Sequence, residues 1–420
     1  MVFAGAFVSS LANGYRPAKA VVLPPFFLSD WTQLGSDLDG EAAGDLFGFI
    51  VCLSSDGNTV AVSGPVNSAN NVTNRGHVRV FTYNDVSSSW VQKGLDIDGP
   101  AAGDLLGYGL SLSSDGNTVA IGALHNDANG TSSGLVRVYG YSNSAWAQIG
   151  SDIKGAAGDA LGSSVSISSD GNTLAAGAIY DDDNGTNSGY TRVFEYSNNT
   201  WAQKGSDIQG EAANDQSGRQ VYISSDGSRV AIGAPENDGG GSNSGHVRVF
   251  EYSNNAWTQI GSDIDGKTND DEVGFVKRMA LSSDGNTVVL SSAYNNTNTG
   301  YVQVYTYSNN AWTQKGLDIL GSASDDYFGS SVSVSSDGNV IAIGNSYNGN
   351  TSYAGFVRVL QYSNNTWTQI GTDIQGEANG DKFGEYVNLS SDGYIVAIGA
   401  INNDGNGTNS GHARVYTIKA

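Results

Sequence analysis

The sequence predicts an all-β fold, a seven-bladed β-propeller with four antiparallel strands per blade, and three observations predict it. Seven tryptophans recur at separations of 59, 56, 55, 56, 55 and 55 residues. The tetrapeptide Ser-Ser-Asp-Gly also recurs seven times. Each period holds four short runs rich in β-branched and aromatic residues, bounded by Gly, Asp and Asn turns. Four strands in a repeat of roughly this length are typical of a propeller blade.

The two markers define the repeat independently, because they agree in number and in period. The tryptophans are Trp31, Trp90, Trp146, Trp201, Trp257, Trp312 and Trp367. The aspartates of the tetrapeptide are Asp56, Asp115, Asp170, Asp226, Asp284, Asp337 and Asp392. In the fourth copy, the two-residue turn Asn254-Asn255 predicts that Tyr252 and Trp257 lie opposite each other on neighbouring strands.

The two ends of the repeat region predict that the ring closes on itself. Trp31 to Leu38 is a lone fourth-type strand, and the third-type strand His412 to Ile418 has no partner after it. Their pairing would complete blade seven and remove two exposed sheet edges. We therefore expect residues 31–420 to form the propeller, with residues 1–30 as a separate N-terminal arm.

The arm matches no strand of the repeat. It contains an apolar run from Val2 to Leu11 without Lys or Arg before it, which makes a poor secretory leader. Its second apolar segment, Val21 to Leu28, contains two prolines. Such a segment is expected to cover the rim of the ring or to dock into a neighbouring subunit.

The composition limits which partners, cysteine-based sites and membrane segments are expected. The chain has 42 acidic and 20 basic residues, a net charge of −22, which disfavours nucleic acid as a partner. Cys52 is the only cysteine, so neither an intrachain disulfide nor a cysteine-based zinc site can form. No segment approaches the roughly 20 apolar residues that span a bilayer.

Residues repeated in every blade are expected to serve the blade. Six arginines are predicted to form cross-strand ion pairs with the aspartates that recur from Asp37 to Asp373: Arg79, Arg137, Arg192, Arg248, Arg358 and Arg414. A second aspartate set is predicted to accept turn hydrogen bonds: Asp45, Asp104, Asp159, Asp215, Asp271, Asp326 and Asp381. His77, His246 and His412 share one strand position and are interpreted as structural.

Several short motifs resemble a known family. Phe47-Gly48, Phe328-Gly329 and Phe383-Gly384, together with Gly233-Ala234-Pro235, resemble the FG-GAP repeats of integrin α-subunit propellers and their microbial and algal relatives. The resemblance covers residues 31–420 and implies extracellular adhesion, ligand recognition and Ca²⁺ binding, without catalysis. The family's Asp-x-Asp-x-Asp-Gly loop is replaced here by the shorter Ser-Ser-Asp-Gly turn, so its usual calcium site is absent.

Other loops have the oxygen spacing of a calcium site. Strand order places the loops between second and third strands, and those between blades, on one face, which by our assignment carries more than half of the 42 acidic residues. Side-chain oxygens that could converge on Ca²⁺ occur in four of these loops: Asn402, Asp404, Asn406 and Ser410; Asp181 and Asp183; Asp127 and Asn129; Asn237 and Asp238. With so few carboxylates per loop, ordinary Asn/Asp turns are the favoured alternative.

A ligand site is predicted where the blades differ. At the start of the first strand, three blades carry Arg219-Gln220, Lys277-Arg278 and Glu385-Tyr386, whereas the others carry Ser, Gly, Phe or Tyr. The spacing in blade five is also longer. We expect blades four and five to form a basic rim within the acidic face, suited to an anionic or sugar ligand.

Sequons for N-glycosylation are abundant, which permits glycosylation if the chain is secreted by a eukaryotic cell. They lie at Asn71, Asn129, Asn184, Asn198, Asn295, Asn350, Asn364, Asn388 and Asn406.

Three functions are compatible with these features. The favoured one is a non-catalytic recognition or adhesion module, extracellular or displayed on a surface, that binds a glycan or protein through its acidic face. The alternative is a structural component, such as a virion or surface-sheath protein, docked through its N-terminal arm. A glycan-acting enzyme is disfavoured, because His125 and Glu385 are the only unshared candidates for catalysis.

Overall fold

The computed structural model describes residues 30–418, except 69–71, 295–297, 323, 325 and 348–352. The described residues form seven antiparallel sheets and no helix, so none of them builds a helix able to cross a bilayer. The predicted seven-bladed propeller is confirmed. The predicted docking of the N-terminal arm concerns residues 1–29, which lie outside the described residues.

Blades are numbered by the order of their first strands, and the four strands of a blade run from the channel outward. The first strands are Val51–Leu53, Gly109–Leu112, Leu161–Ile167, Gln220–Ile223, Met279–Leu281, Ser331–Val334 and Phe383–Leu389. The second strands are Thr59–Gly64, Thr118–Ala123, Thr173–Ala178, Arg229–Ala234, Thr287–Ser292, Val340–Asn345 and Ile395–Ala400. The third strands are His77–Asn84, Leu135–Ser142, Tyr190–Ser197, His246–Ser253, Tyr301–Ser308, Phe356–Ser363 and His412–Thr417.

Each fourth strand is broken into two segments that pair with the same third strand. The first segments are Ser89–Gln92, Ala145–Gln148, Thr200–Gln203, Ala256–Gln259, Ala311–Gln314, Thr366–Gln369 and Thr32–Gln33. The second segments are Ile97–Asp98, Ile153–Lys154, Ile208–Gln209, Ile264–Asp265, Ile319–Leu320, Ile374–Gln375 and Leu38–Asp39. In blade four, Tyr252 lies opposite Trp257 as predicted, and Asn254 and Asn255 have φ of 50° and 64°, as a type I′ turn requires.

The ring is closed by the N-terminal strand, as predicted. Thr32 pairs with Thr417 and Leu38 pairs with Ala413, so both segments of the first-encountered strand complete blade seven. Asp30 adds a contact to blade six, where its carboxylate accepts hydrogen bonds of 2.9 and 2.8 Å from the Thr372 N–H and hydroxyl. The two ends of the described chain therefore share one sheet, in which the N-terminal strand covers the edge of the third strand of blade seven.

The repeated tryptophan connects each blade to the one before it. In all seven blades its indole N–H donates a hydrogen bond to a backbone carbonyl of the preceding blade, at 2.6–3.0 Å. The indole also lies against the glycine between the two segments of the preceding fourth strand. At Gly150, for example, an added Cβ would lie 2.5 Å from Cδ1 of Trp201. The tryptophan period is thus a period of inter-blade contacts at the outer rim.

The glycine of the Phe-Gly position in one blade lies against the glycine of the Gly-Ala-Pro position in the blade before it. A Cβ added to Gly177 in the second strand of blade three would lie 1.9 Å from the carbonyl oxygen of Gly218 in blade four. The same contact joins Gly122 to Gly162, Gly233 to Gly274, Gly344 to Gly384 and Gly399 to Gly48. Both glycines are needed because backbone meets backbone there, leaving no room for a side chain.

A closed circuit of hydrogen bonds surrounds the channel at the end opposite the acidic face. The second serine of each Ser-Ser-Asp-Gly turn donates its backbone N–H to the carbonyl of the equivalent serine in the next blade, at 2.8–3.2 Å. The circuit runs through Ser55, Ser114, Ser169, Ser225, Ser283, Ser336 and Ser391 and returns to Ser55. The tetrapeptide therefore serves contacts between blades as well as its own turn.

The repeated charged residues mostly take their predicted places. Cross-strand Arg–Asp pairs form in five blades, among them Arg358 with Asp373 at 2.7 Å and Arg414 with Asp37 at 2.8 Å. The prediction is wrong in blade four, where Arg248 pairs with Glu211 at 3.2 Å. There the Asp263 carboxylate instead accepts a 2.6 Å hydrogen bond from Gln259. The second aspartate set accepts turn N–H groups as predicted, for example Asp215 from Ala212 at 2.9 Å.

Candidate functional site

A cavity of about 420 Å³ opens at the mouth of the channel on the acidic face. Its floor is formed by the residue that follows the repeated FG glycine, contributed by six blades. These residues are Phe49, Tyr108, Arg219, Phe275, Ser330 and Glu385. Because a different side chain occupies this position in almost every blade, the cavity is the least symmetric part of the propeller.

An insertion in blade five shapes one wall of the cavity. Ten residues separate Gly274 from Asp284, against eight from Gly218 to Asp226 in blade four. The extra residues force Lys277 into the left-handed region, with φ of 74°. Its N–H donates to the Gln220 side-chain carbonyl at 3.0 Å, and its carbonyl accepts from the Val332 N–H at 2.8 Å. Blades four and six thereby hold the insertion from both sides.

Lys277 and Glu385 form an ion pair within the cavity. The Nζ of Lys277 lies 2.9 Å from Oε1 of Glu385 and 4.3 Å from the centre of the Phe49 ring. The other oxygen of Glu385 accepts a 2.9 Å hydrogen bond from the Ser346 hydroxyl. Burial alone would raise the pKa of Glu385, but the charge of Lys277 and these hydrogen bonds hold that pKa below its usual value. The Glu385 carboxylate is therefore ionised, and each of its oxygens already has a partner.

Two arginines lie beside this ion pair, and each has a hydrogen-bond donor that no described residue accepts. Arg278 contacts Glu272 at 3.3 Å, and its guanidinium lies 4.2 Å from the Tyr294 ring centre. Arg219 lies 4.9 Å from the Phe275 ring centre. The Nε atoms of Arg219 and Arg278 are both buried without a hydrogen-bond partner among the described residues.

Three tyrosines form a continuous aromatic wall. Tyr294 and Tyr347 follow the second strands of blades five and six, and their rings lie 5.6 and 5.1 Å from the ring of Tyr327 between them. Tyr294 is 44% exposed and Tyr347 42% exposed, and the Arg278 guanidinium lies over one face of Tyr294. Lys382 adds a fourth cation to the lining.

The structure brings together four of the six ligand residues predicted from the sequence. Arg219, Lys277, Arg278 and Glu385 line the cavity. Gln220 and Tyr386 lie one layer deeper, in the channel. Gln220 fixes the backbone of Lys277, so it positions the cavity rather than lining it.

Sequence reasoning missed the aromatic wall and Lys382. A signal for the tyrosines was present, because Tyr294 and Tyr347 occupy the same repeat position in adjacent blades, directly after the GAP-like tripeptide. Only the fold shows that this position reaches the channel mouth.

The loops with calcium-like spacing use their oxygens to hold their own turns. In blade seven, Oδ1 of Asp404 accepts from the Asn409 N–H at 2.8 Å, and the Ser410 hydroxyl accepts from the Asn406 N–H at 3.1 Å. In blade three, Oδ1 of Asp181 accepts from the Asp183 N–H at 3.2 Å. The loop with Asp127 and Asn129 follows the same pattern: Asp127 accepts from Ser132 at 2.7 Å. Asn402 precedes the turn and donates its N–H to the carbonyl of Asp381. Calcium binding by these loops stays a prediction.

The described sequons fall into two main groups. Asn198 and Asn364 are exposed at the tips of the turns between third and fourth strands. The side-chain amides of Asn129, Asn184 and Asn406 donate hydrogen bonds of 2.7–2.8 Å to backbone carbonyls of the neighbouring inter-blade loops. Asn71, Asn295 and Asn350 lie outside the described residues.

Comparisons with known proteins agree with the architecture. The FG-GAP repeat model matches residues 151–194 and 375–416, which contain the first two strands of blades three and seven and most of the third. The predicted resemblance to FG-GAP repeats is thus confirmed in these two regions. No curated protein matches the sequence.

Solved structures share the fold at low sequence identity. Hydrazine synthase of Kuenenia stuttgartiensis aligns with a TM-score of 0.55 and 14% identity over 92% of this chain and 97% of that chain. The periplasmic gluconolactonase of Pseudomonas aeruginosa aligns with a TM-score of 0.51 and 14% identity over 79% of this chain and 85% of that chain. Identities this low establish a common fold alone.

Proposed function

We propose that this chain is a non-catalytic recognition propeller that binds an acidic carbohydrate in the cavity at the mouth of its channel. The observation that carries the proposal is the concentration of four cations, Arg219, Lys277, Arg278 and Lys382, around one cavity of a protein whose net charge is −22. Cations placed against the overall charge of a protein indicate an anionic ligand.

The cavity suits a sugar in size and in lining. Its volume of about 420 Å³ falls within the usual range for small-molecule sites. The faces of Tyr294 and Tyr347 can cover the apolar face of a sugar ring, while their hydroxyls hydrogen-bond at the edge. A sugar unit with a carboxylate or sulfate would thus find aromatic and cationic partners in the same place.

The free donors favour an anionic group over a neutral one. Lys277 is neutralised by Glu385 and Arg278 contacts Glu272 at 3.3 Å, but Arg219 and Arg278 each keep a buried Nε–H without a partner among the described residues. A carboxylate or sulfate would accept from these groups through charge-assisted hydrogen bonds, which are about twice as strong as neutral ones.

The same lining supports binding rather than hydrolysis. Glycoside hydrolysis usually requires two carboxyl groups that flank the scissile bond. Glu385 is the one carboxylate among the residues found to line the cavity in the described part of the chain, and it is paired with Lys277. We therefore propose a module that holds a glycan without cleaving it, displayed where glycans are accessible, at a cell or particle surface.

Replacing Arg219 with alanine tests this proposal. A glycan array identifies the ligand first, and titration calorimetry then compares the variant with the parent protein. We expect acidic glycans to bind and Arg219→Ala to weaken the affinity about 10- to 100-fold, because a hydrogen bond to a charged group contributes about 1.5–3 kcal/mol. The substitution leaves the Lys277–Glu385 pair in place, so the cavity keeps its shape.

Lys154→Ala is the matched control, since it removes one positive charge from an exposed outer-strand position. It should leave the affinity unchanged within about twofold. Binding of neutral glycans alone, or equal effects of the two substitutions, would contradict the proposal. Release of a cleaved sugar would show that the protein is a glycan-cleaving enzyme instead of a binding module.

A further inference from the structure

Three blades place a buried histidine against two carboxylates, away from the cavity. The histidines occupy the first position of the third strand in blades one, four and seven, where the other blades have Leu135, Tyr190, Tyr301 or Phe356. One ligand atom from each residue lies within 4.8 Å of the other two in three groups: Glu41, His77 and Asp96; Glu211, His246 and Asp263; Asp37, Glu377 and His412.

In blades one and four, the described residues offer the imidazole no hydrogen-bond partner. Nδ1 of His246 lies 3.9 Å from oxygens of both Glu211 and Asp263, and Nδ1 of His77 lies 3.8 Å from Glu41. These separations exceed a hydrogen bond. The side chains of His77 and His246 are 0% and 1% exposed, and all four of their ring nitrogens lack a partner among the described residues. A buried polar group left in this way indicates a missing partner.

The carboxylates are held so that one oxygen faces the imidazole. Oδ1 of Asp263 accepts a 2.6 Å hydrogen bond from Gln259, which leaves Oδ2 towards His246. Gln92 holds Asp96 in the same way, also at 2.6 Å. In blade four, Oε1 of Glu211 contacts Arg248 while Oε2 faces His246. The same Gln–Asp hydrogen bond recurs in blades without a histidine, so it belongs to the repeat. In blades one and four it also holds a carboxylate beside the imidazole, as hydrogen bonds behind the ligands do in metal sites.

We propose that the groups in blades one and four are binding sites for Zn²⁺. Nitrogen and oxygen ligands of a tetrahedral zinc lie about 2.0–2.2 Å from the ion and therefore roughly 3.3–3.6 Å from one another. The three histidine–carboxylate separations of 3.8–3.9 Å exceed this range by a few tenths of an ångström, and the other ligand atoms of each group lie within 4.8 Å of one another, so binding requires the carboxylates to close around the ion. Glu41 and Glu211 are 43% and 44% exposed, so an ion can enter from solvent and keep a fourth, open position.

The group in blade seven provides an internal comparison. There Nη2 of Arg414 contacts both Asp37, at 2.8 Å, and Glu377. The guanidinium neutralises the two carboxylates that an ion would use. This third group is therefore excluded from the proposal, and two zinc ions are expected per chain.

Titration calorimetry of the EDTA-stripped full chain with ZnCl₂ tests the proposal. The expected stoichiometry is two ions per chain, falling to one in His77→Ala or His246→Ala and to none in the double variant. Co²⁺ is a second probe, because its visible absorption in tetrahedral sites should appear in the parent protein and disappear in the double variant. This experiment is independent of the carbohydrate site, since none of these residues lines the cavity.

His125→Ala is the matched control, since His125 is exposed and is the only other histidine besides His412. It and His412→Ala should keep both ions. If the buried alanine variants do not fold, Asp96→Asn and Asp263→Asn preserve side-chain volume and should each weaken one site at least 10-fold. Absence of zinc heat at millimolar concentration, unchanged stoichiometry in the histidine double variant, or loss of an ion in His125→Ala would overturn the proposal.

Discussion

Gly177→Ala is expected to lower the free energy of unfolding by about 3 kcal/mol or more, at the upper end of the cost of overpacking a core. The new methyl carbon would lie 1.9 Å from the carbonyl oxygen of Gly218 and 2.8 Å from its carbonyl carbon. Both are backbone atoms of the segment that enters the first strand of blade four, so no side chain can rotate away. Relief requires separating two blades of a closed ring. Equilibrium unfolding in urea, followed by tryptophan fluorescence, measures the loss.

Blade five offers the matched control for this substitution. Its second strand carries Ser291 where five of the blades carry glycine and blade one carries Ser63, and the Ser291 hydroxyl donates a 2.7 Å hydrogen bond to the carbonyl of Gly329 in blade six. Ser291→Ala keeps a Cβ that the local backbone already accommodates and should cost only about 1 kcal/mol for the lost hydrogen bond. If Gly177→Ala costs no more than Ser291→Ala, the close glycine contact does not limit inter-blade packing.

Trp201→Ala is expected to cost about 3–5 kcal/mol of unfolding free energy, the usual range for deleting a buried aromatic side chain. Trp201 is the most buried of the repeated tryptophans, at 9% exposure. Its ring lies 5.0 Å from the ring of Tyr196 and against Gly150 of blade two, and its indole donates a 3.0 Å hydrogen bond to Ile149. The deletion therefore leaves a void between two blades and an unpaired carbonyl.

Trp201→Phe separates packing from hydrogen bonding at the same position. It retains much of the apolar contact but loses the indole N–H, so we expect it to cost about 1–2 kcal/mol. The same urea titration compares the two variants. Equal losses in Trp201→Ala and Trp201→Phe would show that the hydrogen bond, rather than the packed ring, provides the contribution of the tryptophan.

The sequence predicts most of the propeller because each blade repeats the same local rules. Turn residues with positive φ, such as Asn254 and Asn255, define the hairpins, and the tryptophan period gives the blade count. Contacts between blades were harder to predict, because they depend on how repeats meet. Nothing local in the Ser-Ser-Asp-Gly turn reveals that its second serine bonds to the next blade, and nothing in blade four predicts that Arg248 pairs with Glu211 rather than Asp263.

The charged residues of the candidate site were predictable, because the same repeat position is uncharged in the other blades. Arg219, Lys277 and Glu385 are conspicuous because their counterparts in other blades are small or aromatic. The tyrosines were not, since aromatic residues are common throughout strands and loops of this chain. Their contribution depends on the insertion in blade five and on the convergence of six blades at one point, which are properties of the closed ring.

The serine ring at the other end of the channel has an electrostatic consequence. Its seven N–H···O=C bonds run head to tail around the axis, from Ser55 back to Ser391. Dipoles arranged tangentially in a closed circuit cancel one another, in contrast to a ring of carbonyls aimed at a pore axis, which attracts cations. This end of the channel therefore presents little backbone field to an approaching ion, and its charge comes from the side chains of the turns, which carry one aspartate in each blade.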